Sequence, residues 1–120
     1  MFHTIIACGR LTKDPVQRYT GDGKAVTDMS IAVDDGFGES KKTIWLKITV
    51  WEKTAEACAN LKKGTAILVE GRLQHDSGNP RTWSKDGKTF AGFEITASNV
   101  RFLSGKGEDV QAPVEDDLPF

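Results

Sequence analysis

A small all-β barrel carrying one short helix is the fold class this sequence predicts, and three observations predict it. Segments of alternating apolar and polar residues recur along the chain, separated by clusters of Gly, Asp, Asn and Pro, as half-buried strands require. One Ala-rich stretch, residues 53–63, breaks that period and runs into Gly64, which reads as a helix followed by its C-cap. The 120 residues, 38% of them hydrophobic, leave room for one domain with one core.

Residues 3–11, HTIIACGRL, make the first expected strand, ended by the turn at Lys13-Asp14-Pro15. Asp22-Gly23, inside the polar stretch from Tyr19 to Lys24, marks a reversal. Over 25–34 the chain alternates, with Thr27, Met29, Ile31 and Val33 on one face and Asp28, Ser30, Ala32 and Asp34 on the other. A polar, Gly-containing loop over 35–42 leads into a strand over 43–52. In the helix, Ala57, Cys58 and Leu61 are expected to face inward. The fourth strand, 65–74, directs Ile67, Val69, Gly71 and Leu73 to the core, and a long polar loop spans 75–88. The last strand, 89–103, turns Phe93, Ile95 and Ala97 inward, with Val100, Phe102 and Leu103 near its end. Three strands, a helix and two more strands is the order of an OB-fold, a five-stranded, partly open Greek-key barrel.

Charge divides the chain. Positions 1–103 hold 15 of the 16 Lys and Arg residues and 12 of the 17 acids, a balance of +3, while the remainder holds Lys106 against Glu108, Asp109, Glu115, Asp116 and Asp117. The body is mildly basic and the tail acidic, which the net charge of −1 conceals. From Ser104 onward almost no large apolar side chain appears before Leu118 and Phe120, so the tail is expected to be disordered. The expected organisation is a binding domain over 1–103, a short flexible linker over 104–114 and an acidic tip over 115–120. No apolar run is long enough to span a membrane, and MFHTIIACGRL lacks the basic and apolar regions of a secretory signal. Cys8 and Cys58 match no metal-ligand spacing and read as reduced, packed thiols, so no metal or cofactor is expected.

The strand TIWLKITVWE carries the functional signal. Ile44, Leu46, Ile48 and Val50 share one face as a core row, which leaves Trp45, Lys47, Thr49 and Trp51 on the other. Two tryptophans with a lysine between them, on a face that ought to be polar, call for a ligand that covers them. Unpaired bases supply flat π-surfaces and phosphates supply charge at regular intervals. Stacking of this kind contributes about 1–3 kcal/mol per base and tolerates any sequence. A duplex has its base faces already stacked on one another, so the pattern favours single strands. Trp83, flanked by Arg81 and Lys85, and Phe37, beside Lys41 and Lys42, extend the candidate surface, with Phe90 as a weaker addition. Arg10, Arg18, Lys62, Lys63, Arg72 and Lys88 are candidates for phosphate contacts. At the far end, Glu115-Asp116-Asp117-Leu118-Pro119-Phe120 combines acids, a terminal aromatic ring and a free carboxylate in one docking motif.

These features resemble the bacterial single-stranded DNA-binding protein family, found in bacteria, their phages and plasmids. The likeness runs through Ile5 to Pro15, with its Gly9-Arg10-Leu11 and Asp14-Pro15, then Arg18-Tyr19, Leu61 to Gly64, and Val69-Glu70-Gly71-Arg72-Leu73. By resemblance, Trp45, Trp51 and Trp83 match base-stacking positions, Trp51 replacing the more usual Phe, and Phe37 falls near a fourth where Trp is common. Residues 115–120, with Asp116, Asp117, Leu118, Pro119 and Phe120, match the tip through which the family recruits replication, recombination and repair proteins. The resemblance implies a homo-oligomer, a tetramer first and a dimer second, since Leu46 follows Trp45 where many members carry a His that supports subunit association. It also implies a cytoplasmic, nucleoid-associated protein, or one in the host cytoplasm if phage-encoded. The short linker departs from cellular members and points to a phage, plasmid or streamlined one.

Three rival classes remain in view. His3 and His75 have no nucleophile beside them in sequence and no P-loop, H-E-x-x-H or G-x-S-x-G occurs, which argues against an enzyme. An OB-fold RNA-binding or primosome-type module would use the same barrel and aromatics, but has no use for the terminal tip. A protein-interaction adaptor would bury the tryptophan face in an obligate interface.

Overall fold

Strands that alternate with period two need cover on one face, and here they obtain it by curling around a shared interior. The computed structural model describes residues 1–103; the expected linker and tip lie outside the described residues. The strands are β1 (Ile5–Leu11), β2 (Val16–Tyr19), β3 (Ala25–Asp35), β4 (Lys42–Trp51), β5 (Ala66–Leu73), β6 (Thr82–Lys85), β7 (Lys88–Ala91) and β8 (Phe93–Phe102). One helix, α1 (Glu52–Cys58), joins β4 to the segment before β5. The main sheet runs β1-β5-β8-β4-β3-β2, and β1 also pairs with β3 through Arg10↔Ala32 and Leu11↔Ile31. That second pairing closes β1, β5, β8, β4 and β3 into a five-stranded barrel, with β2 laid along the outside of β3. All barrel pairings are antiparallel except β4 with β8. Mostly β with one helix and closed in this mixed five-stranded ring, the chain has the barrel expected of an OB-fold.

The interior is built from the predicted rows. Met29 and Ile31 of β3, Ile48 and Val50 of β4, Ile67 and Val69 of β5, and Ile95 of β8 are all essentially inaccessible. Leu11, Ala25, Leu46 and Ala97 belong to the same cluster, as do Ala55 and Cys58 of α1. The Thr27 hydroxyl donates to the Ala55 carbonyl at 2.7 Å inside this packing, which ties the helix to β3. Burial disfavours the thiolate and pushes the Cys58 thiol up to about 11. Where β5 passes β8 the ladder shifts register between Glu70 and Gly71. A Cβ on Gly71 would collide with the Thr96 carbonyl oxygen and stand 2.7 Å from the Ala97 Cα, so only glycine fits this crossing.

Several local expectations change. The helix ends at Cys58 rather than running to 63, and its inward residues are Ala55 and Cys58, with Ala57 exposed. A two-turn helix presents a narrow face, and spacing by three selects that pair. Leu73 and Phe93 keep the parity of core residues and pair in register with the core residues Ile95 and Leu46, yet are exposed, because they stand at the last position of β5 and the first of β8, where the strands end. The segment expected as loop over 75–88 contains β6. The expected long final strand splits at Gly92 into β7 and β8. β6 and β7 form a separate antiparallel ribbon, closed by Asp86 and Gly87 at φ +54° and +79°. Those angles suit a two-residue hairpin turn, and Asp-Gly is its usual sequence.

Candidate nucleic-acid interface

The wall made by β3, β4 and β8 carries the tryptophan face on its outside. Along β4 the outward residues are Trp45, Lys47, Thr49 and Trp51. The ladder to β3 sets Ala32 beside Trp45, Ser30 beside Lys47, Asp28 beside Thr49 and Val26 beside Trp51. On the other flank β8 sets Glu94 beside Lys47 and Thr96 beside Thr49. Small neighbours leave Trp45 standing clear at 61% exposure, while Trp51, about 20 Å further along the strand, is 41% exposed.

The β6–β7 ribbon delivers the third tryptophan to the same wall. Trp83 stacks on Phe90 across the ribbon, with ring centroids 5.9 Å apart and planes 21° from parallel. Its outer ring edge lies over Gly92, where a Cβ would come within 3.1 Å of it. Trp45, Lys47, Trp83, Phe93, Glu94 and Ser30 line one cleft of about 410 Å³. Phe93, expected in the core by its parity, is 62% exposed and lies at this cleft.

The remaining sequence-predicted residues are dispersed. Phe37 is exposed in the loop before a short 3-10 turn at Gly38–Ser40. Lys85 is exposed at the end of β6. Lys62 is exposed beyond α1, and Arg72, near the end of β5, pairs in register with Thr96. Arg10 is turned to a structural contact, its Nη1 donating to the Gly64 carbonyl at 2.9 Å. Arg18 donates from Nε to Asp28 Oδ2 at 2.8 Å, and the Thr49 hydroxyl donates to the other carboxylate oxygen at 3.4 Å. The hydrogen bond first, and the charge attraction second, raise the Arg18 pKa still further above its ordinary value. Asp28 therefore sits in the middle of the aromatic face with its charge partnered.

Asp28 and Glu94 escaped the sequence reading. An acid on the outer side of a strand carries no distinguishing signal, and only the ladder reveals what lies beside it. Among the described residues no group of three His, Cys, Asp or Glu side chains is arranged to hold a metal ion. No helix among them is long and apolar enough to cross a membrane.

The sequence matches the Single-strand binding protein family over residues 2–103. It is 42% identical to a single-stranded DNA-binding protein of Caldanaerobacter subterraneus subsp. tengcongensis, covering 88% of this chain and 71% of that one. It is 37% identical to single-stranded DNA-binding protein 2 of Chlorobaculum tepidum, over 96% of this chain and 82% of the relative. The match to the single-stranded DNA-binding protein of Oceanobacillus iheyensis, at 36% identity, covers 89% of this chain and 66% of that relative. With a barrel of the expected form and a match spanning nearly all of it, the chain belongs to the single-strand binding protein family, a family of non-enzymatic proteins that bind single-stranded DNA.

Proposed function

We propose that the barrel holds single-stranded DNA without regard to sequence, by stacking bases on Trp45, Trp51 and Trp83 while cations receive the backbone. The observation that carries this reading is the convergence of Trp45, Lys47 and Trp83 on one cleft from two separate elements. Stacking suits rings of this exposure, since each base has a π-face and contributes about 1–3 kcal/mol when it stacks. Phe37 assists from its loop. Lys47, Arg18, Lys62, Arg72 and Lys85 neutralise phosphates around the face, and Arg10 does so only by giving up its bond to Gly64.

Binding of this kind keeps strands from reannealing or forming hairpins. The acidic segment Asp116-Asp117-Leu118-Pro119-Phe120 then recruits proteins of replication, recombination and repair, the acids steering approach and the ring docking. The protein works as a homo-oligomer in the bacterial cytoplasm. A tetramer is the first expectation and a dimer the second, and the exposed Ile6 on the outer side of β1 supports association. A titration of tryptophan fluorescence with oligo-dT, an equal length of duplex, and single-stranded RNA tests the stacking reading. Strong quenching by dT with little response to duplex is expected. Absence of quenching by all three would show the tryptophans to be covered by something other than nucleic acid.

A further inference from the structure

A face that ignores sequence has no evident use for a buried carboxylate, yet the cleft between Trp45 and Trp83 has one in its wall. Glu94 lies on β8 between Phe93 and the core residue Ile95, and its register partner Lys47 places it on the outer side of the barrel. Despite that position it is only 9% exposed. Its nearest cation is Arg81, whose Nη2 stands 4.0 Å from Oε1, and Arg81 divides itself between Glu94 and Asp76, where Nε is 3.7 Å from Oδ1. The pairing is long on both sides, so Glu94 retains acceptor capacity that a well-formed ion pair would consume.

A carboxylate repels phosphate and accepts hydrogen bonds only. Whatever fills the cleft beside it must bring donors, and between indole rings those donors belong on the edge of a flat ring. The four bases differ on this point. Thymine offers a single N3–H. Cytosine and adenine offer an exocyclic amine, but the ring nitrogen next to it is an acceptor and faces the second carboxylate oxygen unfavourably. Guanine presents N1–H and an N2 amine side by side, matching both oxygens of a carboxylate, with the O6 acceptor beyond them. Lys47, beside Glu94 in the ladder and lining the same cleft, supplies a donor for O6.

We infer that Glu94 and Lys47 make the Trp45–Trp83 cleft a guanine-preferring subsite within an otherwise sequence-tolerant face. This rests on the reading that the cleft stacks bases. The preference is local and modest, since it is confined to this one cleft.

The test uses the full chain and competition against a labelled oligo-dT, at one salt concentration, with d(TG), d(TC) and d(TI) repeats of equal length. Inosine keeps the purine ring, N1–H and O6 of guanine and lacks only the N2 amine. The d(TG) repeat is expected to bind about fivefold tighter than d(TI), and Glu94→Gln is expected to erase that difference while oligo-dT still binds. Equal binding of d(TG) and d(TI) by the unaltered chain overturns the inference and needs no variant to do so. A preference that survives in Glu94→Gln also overturns it, because a group other than the Glu94 carboxylate then reads the N2 amine. Either result, obtained while dT still quenches the tryptophans, leaves the stacking reading standing. Loss of dT quenching itself would remove both.

Discussion

Trp45 and Trp51 occupy equivalent sides of one strand, but their neighbours make them unequal. Trp45 faces Ala32 across the ladder and covers little, so Trp45→Ala is expected to lower oligo-dT affinity by about tenfold with little change in melting temperature. Trp51 pairs with Val26, which is fully buried yet stands apart from the main core cluster. Trp51→Ala uncovers that valine, so it is expected to cost about 1 kcal/mol or more of stability as well as affinity. Thermal melts beside the titrations distinguish the two. Cys58 gives a prediction in pH. Its folded pKa of about 11 lies above the ordinary 9.0, so the unfolded chain loses the proton first. Stability contributed by this group is therefore full below pH 9 and declines as pH rises from there through about 11. Cys58→Ala is expected to flatten that decline in a series of denaturant melts. At this scale the two β4 tryptophans and Lys47 were legible, because period two alone assigns their side of the strand. Glu94 and Phe93 were not: an acid on an outer face looks like ordinary solvation, and a phenylalanine in core register looks like core.

Among the elements, the β6–β7 ribbon decides where the third tryptophan acts. Its eight residues are all exposed, so no hydrophobic alternation announced it, and the segment read as loop. The signal that was present is Asp86-Gly87, whose positive φ values close the hairpin. Recognising that turn would have set Trp83 opposite Phe90 and broken the final strand at Gly92. β2 carries no hydrophobic alternation either, since none of its four residues is buried. Helix α1 was legible in kind but not in length: it ends at Cys58, while Leu61, expected inward, still packs against the core from the turn that follows. The ribbon's position gives a prediction. A Cβ at Gly92 would press on Trp83 at 3.1–3.2 Å, so Gly92→Ala is expected to shift the indole out of the cleft. Oligo-dT affinity should fall several-fold while the melting temperature changes little. An unchanged affinity would mean that Trp83 does not act from this position.

For the molecule as a whole, closure of the barrel and partition of charge are the governing features. The strand order was readable from five alternating segments and one helix, whereas the closing contact of β1 with β3 and the parallel β4–β8 pairing are properties of the assembled ring. The β5–β8 crossing depends on Gly71. Gly71→Ala is expected to cost about 3 kcal/mol, or to prevent folding, because backbone rather than a movable side chain fills the space. The acidic tail opposes a basic body, so deleting residues 115–120 is expected to preserve or raise DNA affinity and to abolish capture of partner proteins; a weaker complex with DNA would contradict this division of labour. In the proposed mechanism stacking, with charge in support, carries the affinity. This is tested most directly by measuring oligo-dT affinity across a range of salt for the unaltered chain, Trp45→Ala and Lys47→Ala. Trp45→Ala should give a line parallel to the unaltered chain and displaced by about tenfold, while Lys47→Ala should lower the slope by about 0.7. Coincident lines for Trp45→Ala and the unaltered chain, at every salt concentration, would contradict the account.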